Sequence, residues 1–180
     1  MDISTRLNAD EALGGRVLKV NHAGENGAIS IYAGQILAAR VTARSLVSDL
    51  AEFKSHEEKH RAIFLAELQR RGLPRCRSYW LCAVGGFTLG VLTGLFGRRA
   101  IAATTVAVER VVLGHLKQQL RVLAGKDEAA VEAISKIMAE EEQHHDQSAA
   151  HVGVGDLWQK VLTPIVAGST ESVIWLGMHL

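Results

Sequence analysis

A chain of 180 residues that is 48% hydrophobic is long enough to bury a sizeable core. Aromatics supply only 5% of it, which argues against a strand-rich sandwich, where aromatic and β-branched residues are enriched. Its 20 basic and 19 acidic residues leave a formal charge of +1, with no long basic run, so no nucleic-acid partner is expected.

The N-terminal stretch MDISTRLNADEAL has no apolar core, and no signal peptide is predicted there. Apolar residues at helical spacing predict a first helix from about Asp10 to Arg44 and a second from about Ser48 to Arg71. Gly72-Leu73-Pro74 breaks the chain after it. A third region runs from Tyr79 to Leu123, with Gly97 as its predicted interruption. Ala124-Gly125-Lys126-Asp127 reads as a helix stop followed by a new N-cap, and a fourth helix continues to about His151. Gly153 and Gly155 end it, and a last apolar segment occupies Leu157 to Leu180, with Pro164 near its start. No stretch alternates with period two for long, so the chain is expected to be all-α and one domain over 1–180. Cys76 and Cys82 fit no metal or redox spacing and point to a reducing compartment without a structural disulfide.

A repeat runs through this order. Glu25 and Glu57 are 32 residues apart, as are Glu109 and Glu141. His60 follows Glu25 by 35 residues, and His144 follows Glu109 by the same interval. Gln35 and Gln119 each lie ten residues after the leading glutamate. Both halves therefore read as one helical hairpin used twice.

Residues three apart share a helix face, so Glu57 points with His60 and Glu141 with His144. In the second helix that face holds Leu50, Phe53, Glu57, His60 and Phe64; in the fourth it holds Ile134, Ile137 or Met138, Glu141, His144 and Ser148. Glu109 sits among Ala102, Val106, Val112, Leu116 and Leu120, and Glu25 among Leu18, Ala28 or Ile29, Tyr32 and Ile36. An unpaired buried carboxylate is costly, and four of them together would repel unless cations compensate. Carboxylate and imidazole donors without thiolate suit iron or manganese. One glutamate from each of two helices plus Glu-x-x-His from each of two others is the ligand set of a di-iron carboxylate bundle. Glu142 and His145 offer a second register in the fourth helix, but repeat symmetry selects Glu141 and His144. His56, His115, His145 and Asp146 are candidates to orient ligands, although surface or packing roles are commoner for such residues.

Ser78 to Gly97 contains no charged residue, is flanked by Arg77 and Arg98, and carries Gly86, Gly90 and Gly94 at every fourth position. The glycines predict close helix contact, and the segment is read as lying on a membrane face or shielding a lipid channel rather than spanning, with a purely internal helix as the main rival reading.

NHAGENGAISIYAGQ (Asn21 to Gln35), VAVE (Val106 to Glu109), EEQHHD (Glu141 to Asp146) and GFTLGVLTGLFG resemble segments of the demethoxyubiquinone hydroxylase family. The likeness runs from about Arg16 to the C-terminus. It implies a ferritin-like four-helix bundle with additional apolar helical segments, holding a di-iron centre on Glu25, Glu57, His60, Glu109, Glu141 and His144. The implied enzyme is an oxygen-dependent monooxygenase that hydroxylates the ring of a polyprenyl demethoxyubiquinol in ubiquinone biosynthesis. Its implied requirements are two Fe ions, NADH or another electron donor, and O2. The implied setting is peripheral, on the cytoplasmic face of the inner or plasma membrane of a bacterium, with substrate-presenting helper proteins and self-association left open. No catalytic side chain beyond the metal ligands is implied. The chain departs from the family at Ile29-Ser30, where a polar pair is usual, and at Arg110 and Leu116, where an acid and a tyrosine are common. A ferritin-like iron- or peroxide-handling protein is the alternative reading, and it leaves the glycine-rich apolar segment unexplained.

Overall fold

The computed structural model describes residues 3–152 and 157–179, with side chains described from Ala12 onward. All regular structure among them is helical: α1 (Ile3–Thr42), α2 (Val47–Arg70), α3 (Tyr79–Leu95), α4 (Arg98–Leu123), α5 (Glu128–Ser135), α6 (Met138–Ala149) and α7 (Leu157–His179). Absence of proline lets α1 continue for 40 residues, about 60 Å at the helical rise. It begins earlier than the expected Asp10, and a 3₁₀ turn at Arg44–Leu46 joins it to α2.

The predicted breaks fall where the backbone needs them. Gly72, Gly97 and Gly125 all have positive φ, at 64°, 83° and 71°, which a side chain would strain. Asp127 caps α5 by accepting the Ala130 amide at 3.1 Å, and its carboxylate also receives both terminal nitrogens of Arg71 at 2.7 Å. One break was not expected. The fourth helix divides into α5 and α6 where Ile137 N–H bonds to Ile134 at i→i−3, with neither glycine nor proline to announce it. Gly153 and Gly155 lie outside the described residues.

The ferritin-like bundle is formed by α1, α2, α4 and the α5–α6 pair, with α3 and α7 as the additional apolar helices. α1 lies against α2 and α3, and α4 against α6 and α7. One apolar cluster, including Leu18, Phe64, Leu68, Leu116, Ile134 and Ile137, fills one end of the bundle. A second, including Tyr32, Leu46, Leu50, Phe53 and Ile101, fills the other. Between them runs a polar layer.

α3 meets α1 backbone to backbone. A methyl added at Gly86 would overlap the Gly27 carbonyl oxygen, one at Gly90 that of Ile31, and one at Gly34 that of Phe87. The close contact predicted from the glycine spacing is therefore present. Its opposite face is apolar and exposed, with Trp80 at 70% and Val84 at 67%. At 17 residues, α3 is only about 26 Å long, short of a bilayer core. Among the described residues the helix long and apolar enough to cross one is α7, and little of it is buried. It also carries exposed Leu157, Ile165 and Trp175, and Phe96 after α3 packs on Trp158 at 4.8 Å between ring centroids.

Candidate metal centre

Each of the four bundle helices delivers its acid into the polar layer because the flanking turns bury apolar side chains. On α2, Leu50, Phe53 and Phe64 are buried on the same face as Glu57 and His60. On α5–α6, Ile134 and Ile137 precede Glu141 and His144, so Ile137 rather than half-buried Met138 occupies the stripe. Residues 100–109 of α4 are buried throughout, ending on Glu109. Leu18, Ile29 and Tyr32 do the same for Glu25 on α1. All six predicted residues are at most 6% exposed.

They meet in two overlapping groups. Ligand-type atoms of Glu25, Glu57, His60 and Glu141 all lie within 4.8 Å of one another, as do those of Glu57, Glu109, Glu141 and His144. Glu57 and Glu141 belong to both. Both imidazoles turn Nδ1 inward: His60 Nδ1 lies 3.0 Å from Glu141 and 3.5 Å from Glu57, and His144 Nδ1 lies 3.1 Å from Glu57. These atoms approach without hydrogen-bond geometry. His60 Nδ1, His144 Nδ1, Glu57 Oε1 and Glu141 Oε1 are all buried without a hydrogen-bond partner.

The electrostatics follow from that crowding. Burial pushes the Glu25 carboxyl well above its ordinary range, and the Glu57 and Glu141 carboxylates add to the effect. Burial raises Glu109 in the same way, reinforced by Glu141 and Glu57. Burial would raise Glu57 too, but His144 and His60 outweigh it and hold Glu57 below the ordinary range. Burial alone would depress His60, yet Glu141 and Glu57 push it up to about 10. Without a cation the cluster thus stores protons on acids and imidazole. A hard oxygen- and nitrogen-rich set with inward orphan atoms fits a divalent metal pair that would replace those protons.

A family model for ubiquinone biosynthesis protein COQ7 matches residues 12–177. The chain belongs to the COQ7 family. It is 35% identical over 171 residues to the NADPH-dependent 3-demethoxyubiquinone 3-hydroxylase, mitochondrial, of Dictyostelium discoideum, covering 92% of this chain and 76% of that protein. The protein of the same name from Mus musculus is 33% identical over 176 residues, 94% of this chain and 79% of the relative. The 3-demethoxyubiquinol 3-hydroxylase of Legionella pneumophila (strain Lens) is 34% identical over 143 residues, 78% and 65% of the two chains.

Three side chains of this COQ7-family chain complete the surroundings of the cluster. His56 Nδ1 lies 3.0 Å from His144 Nε2, and the rings stack at 5.3 Å, so His56 is no ordinary surface residue. Glu140, which the sequence reading missed, places Oε2 2.8 Å from His60 Nε2. Each directly precedes a glutamate of the cluster in sequence, and each reaches across to the histidine of the other helix. That position in the repeat was the available signal. Tyr32 donates its hydroxyl to Glu109 Oε1 at 3.1 Å. Tyr32 and Leu116 each lie seven residues after a leading glutamate, so α1 keeps a tyrosine where α4 has only the buried Leu116 of the apolar core.

The other candidates lie elsewhere. His115 pairs with Glu171 at 2.9 Å on the α4–α7 surface, and His145 with its exposed neighbour Asp146. Glu142 is exposed and pairs with Lys117 at 3.0 Å, which removes the alternative register. The matched glutamines are not equivalent: buried Gln35 donates to Thr93, whereas half-buried Gln119 exchanges hydrogen bonds with Asn21. Cys76 and Cys82 are buried free thiols. An opening of about 390 Å³, lined by Leu50, Phe53, Thr105 and Ser148 among others, has none of the six cluster residues in its wall; Phe53, whose ring lies 4.5 Å from that of His144, stands between the two.

Proposed function

We propose that this chain is a ferritin-like di-iron monooxygenase that hydroxylates the ring of a demethoxyubiquinol-type polyprenyl quinol. The observation that carries the reading is the pair of overlapping four-residue groups sharing Glu57 and Glu141. Membership of the COQ7 family and relatives named for 3-demethoxyubiquinol hydroxylation supply the substrate class. Glu25 and His60 would hold one ion, Glu109 and His144 the other, and Glu57 and Glu141 would serve both. When bound, a reduced iron pair supplies electrons to dioxygen, so that one oxygen atom reaches the ring carbon.

The chain's own residues bind and shelter. Phe53, Phe64, Ile134 and Ile137 pack around the polar layer and exclude water from it. Tyr32 orients Glu109, and Glu140 and His56 fix the Nε2 side of the two imidazoles, leaving each Nδ1 turned inward. The reductant in this reading is NADH or NADPH, the latter named for several relatives. The exposed apolar faces of α3 and α7 would rest on the bilayer that holds the polyprenyl substrate, with the six-ligand unit occupying the chain as one domain.

Incubating the iron-loaded protein with a demethoxyquinone, NADH or NADPH and ¹⁸O₂ tests this. A product heavier by one ¹⁸O-hydroxyl is expected. Iron oxidation with unchanged quinone would reject it in favour of iron or peroxide handling.

A further inference from the structure

We propose that the two metal positions are unequal, that of Glu25 and His60 binding the more tightly, and that Glu140, His56 and Tyr32 set the difference. The inference rests on the two-metal reading above. Glu57 and Glu141 belong to both groups, so they cancel in the comparison. What distinguishes the positions is the terminal carboxylate, the imidazole and whatever touches each from behind.

The imidazoles differ first. A histidine that binds metal through Nδ1 carries its proton on Nε2 and donates it outward. From His60 that proton meets a carboxylate, Glu140 Oε2, at 2.8 Å. A carboxylate draws the proton and makes the imidazole a stronger donor to the metal. From His144 the proton meets Nδ1 of His56 at 3.0 Å, a ring nitrogen that accepts the bond without a formal negative charge. Glu140 is 38% exposed, so solvent weakens its effect without removing it.

The carboxylates differ next, and in the same direction. Tyr32 donates to Glu109 Oε1 at 3.1 Å, which withdraws electron density from the ligand and makes it a poorer donor. Glu25 receives no hydroxyl hydrogen bond among the described residues. Both differences favour the Glu25–His60 position.

Outer partners of metal-bound histidines change metal affinity by about ten- to a hundredfold. Anaerobic calorimetric titration of the metal-free full chain with Fe(II), repeated with Co(II) and its visible spectrum, should therefore resolve two binding steps about tenfold or more apart. Glu109→Gln should abolish the weaker step and keep the tighter, and Glu25→Gln should do the reverse. Tyr32→Phe and His56→Glu should each narrow the separation by strengthening the second step, whereas Glu140→Gln should narrow it by weakening the first. Circular dichroism establishes folding, and Tyr32→Phe, which deletes one hydroxyl, carries the test should His56→Glu not fold. Two equal steps in the wild type, or a separation that Tyr32→Phe and Glu140→Gln leave unchanged, overturn the inequality alone. Failure of either metal to bind overturns the two-metal reading, and the inequality with it.

Discussion

His22 shows what burial does to an imidazole that has no carboxylate beside it. It is 1% exposed, both ring nitrogens lack a hydrogen-bond partner, and it stacks on Tyr79 at 5.0 Å. Burial, with Arg75 and Arg61 nearby, lowers its pKa to about 4 from 6.5, the opposite of His60. The neutral form is favoured by folding, so its stabilisation is complete above pH 6.5 and is lost as pH falls from 6.5 to 4. The loss over that window is about 3 kcal/mol at most. Urea titrations at pH 7.5 and 4.5 should reveal it, and His22→Phe should flatten that part of the profile. Glu109→Ala makes a second residue-scale prediction. Bound iron should fall from two ions per chain to one or fewer, by metal analysis, while far-ultraviolet circular dichroism keeps its helical signal. Two retained ions would remove Glu109 from the ligand set.

At the scale of the helices, the α1–α3 contact depends on glycines that no side chain can replace without moving a backbone. Gly90→Val would drive its side chain into the Ile31 carbonyl, and a loss of about 3 kcal/mol is expected, visible as a fall of several degrees in Tm. The same element explains what the sequence made legible. Spacing alone could place Glu57 with His60 and Glu141 with His144, because a rigid helix converts three-residue intervals into a shared face. The repeat could select Glu141 over Glu142 because both hairpins position their acids by the same geometry. The α5–α6 break left no trace, since a single i→i−3 bond at Ile137 needs neither glycine nor proline. Glu140 was hidden for another reason. Its side chain is partly in solvent and lies off the buried stripe, and only tertiary packing brings it to His60, 80 residues away.

For the whole molecule, the imbalance between its surfaces is the main consequence. The bundle interior is polar at its middle, while α3 and α7 turn tryptophans and aliphatic side chains outward. Six such residues (Trp80, Val84, Phe87, Leu92, Ile165 and Trp175) are each at least 44% exposed. Apolar area of this kind is removed from water by a bilayer interface. Flotation with phosphatidylcholine vesicles should carry the wild-type chain upward. Val84→Glu with Ile165→Glu should leave it at the bottom of the gradient without loss of helicity. A wild-type chain that never floats and stays dispersed without detergent would exclude this face as a membrane contact.

The claim on which the rest depends is that four helices aim six side chains at one pair of cations. Anomalous diffraction from crystals grown anaerobically with Fe(II), recorded on either side of the iron edge, addresses it most directly. Two peaks are predicted between Glu57 and Glu141, one against Nδ1 of His60 and Glu25, the other against Nδ1 of His144 and Glu109. No peak there, or iron held only by surface residues such as Glu142 and Asp146, would contradict it.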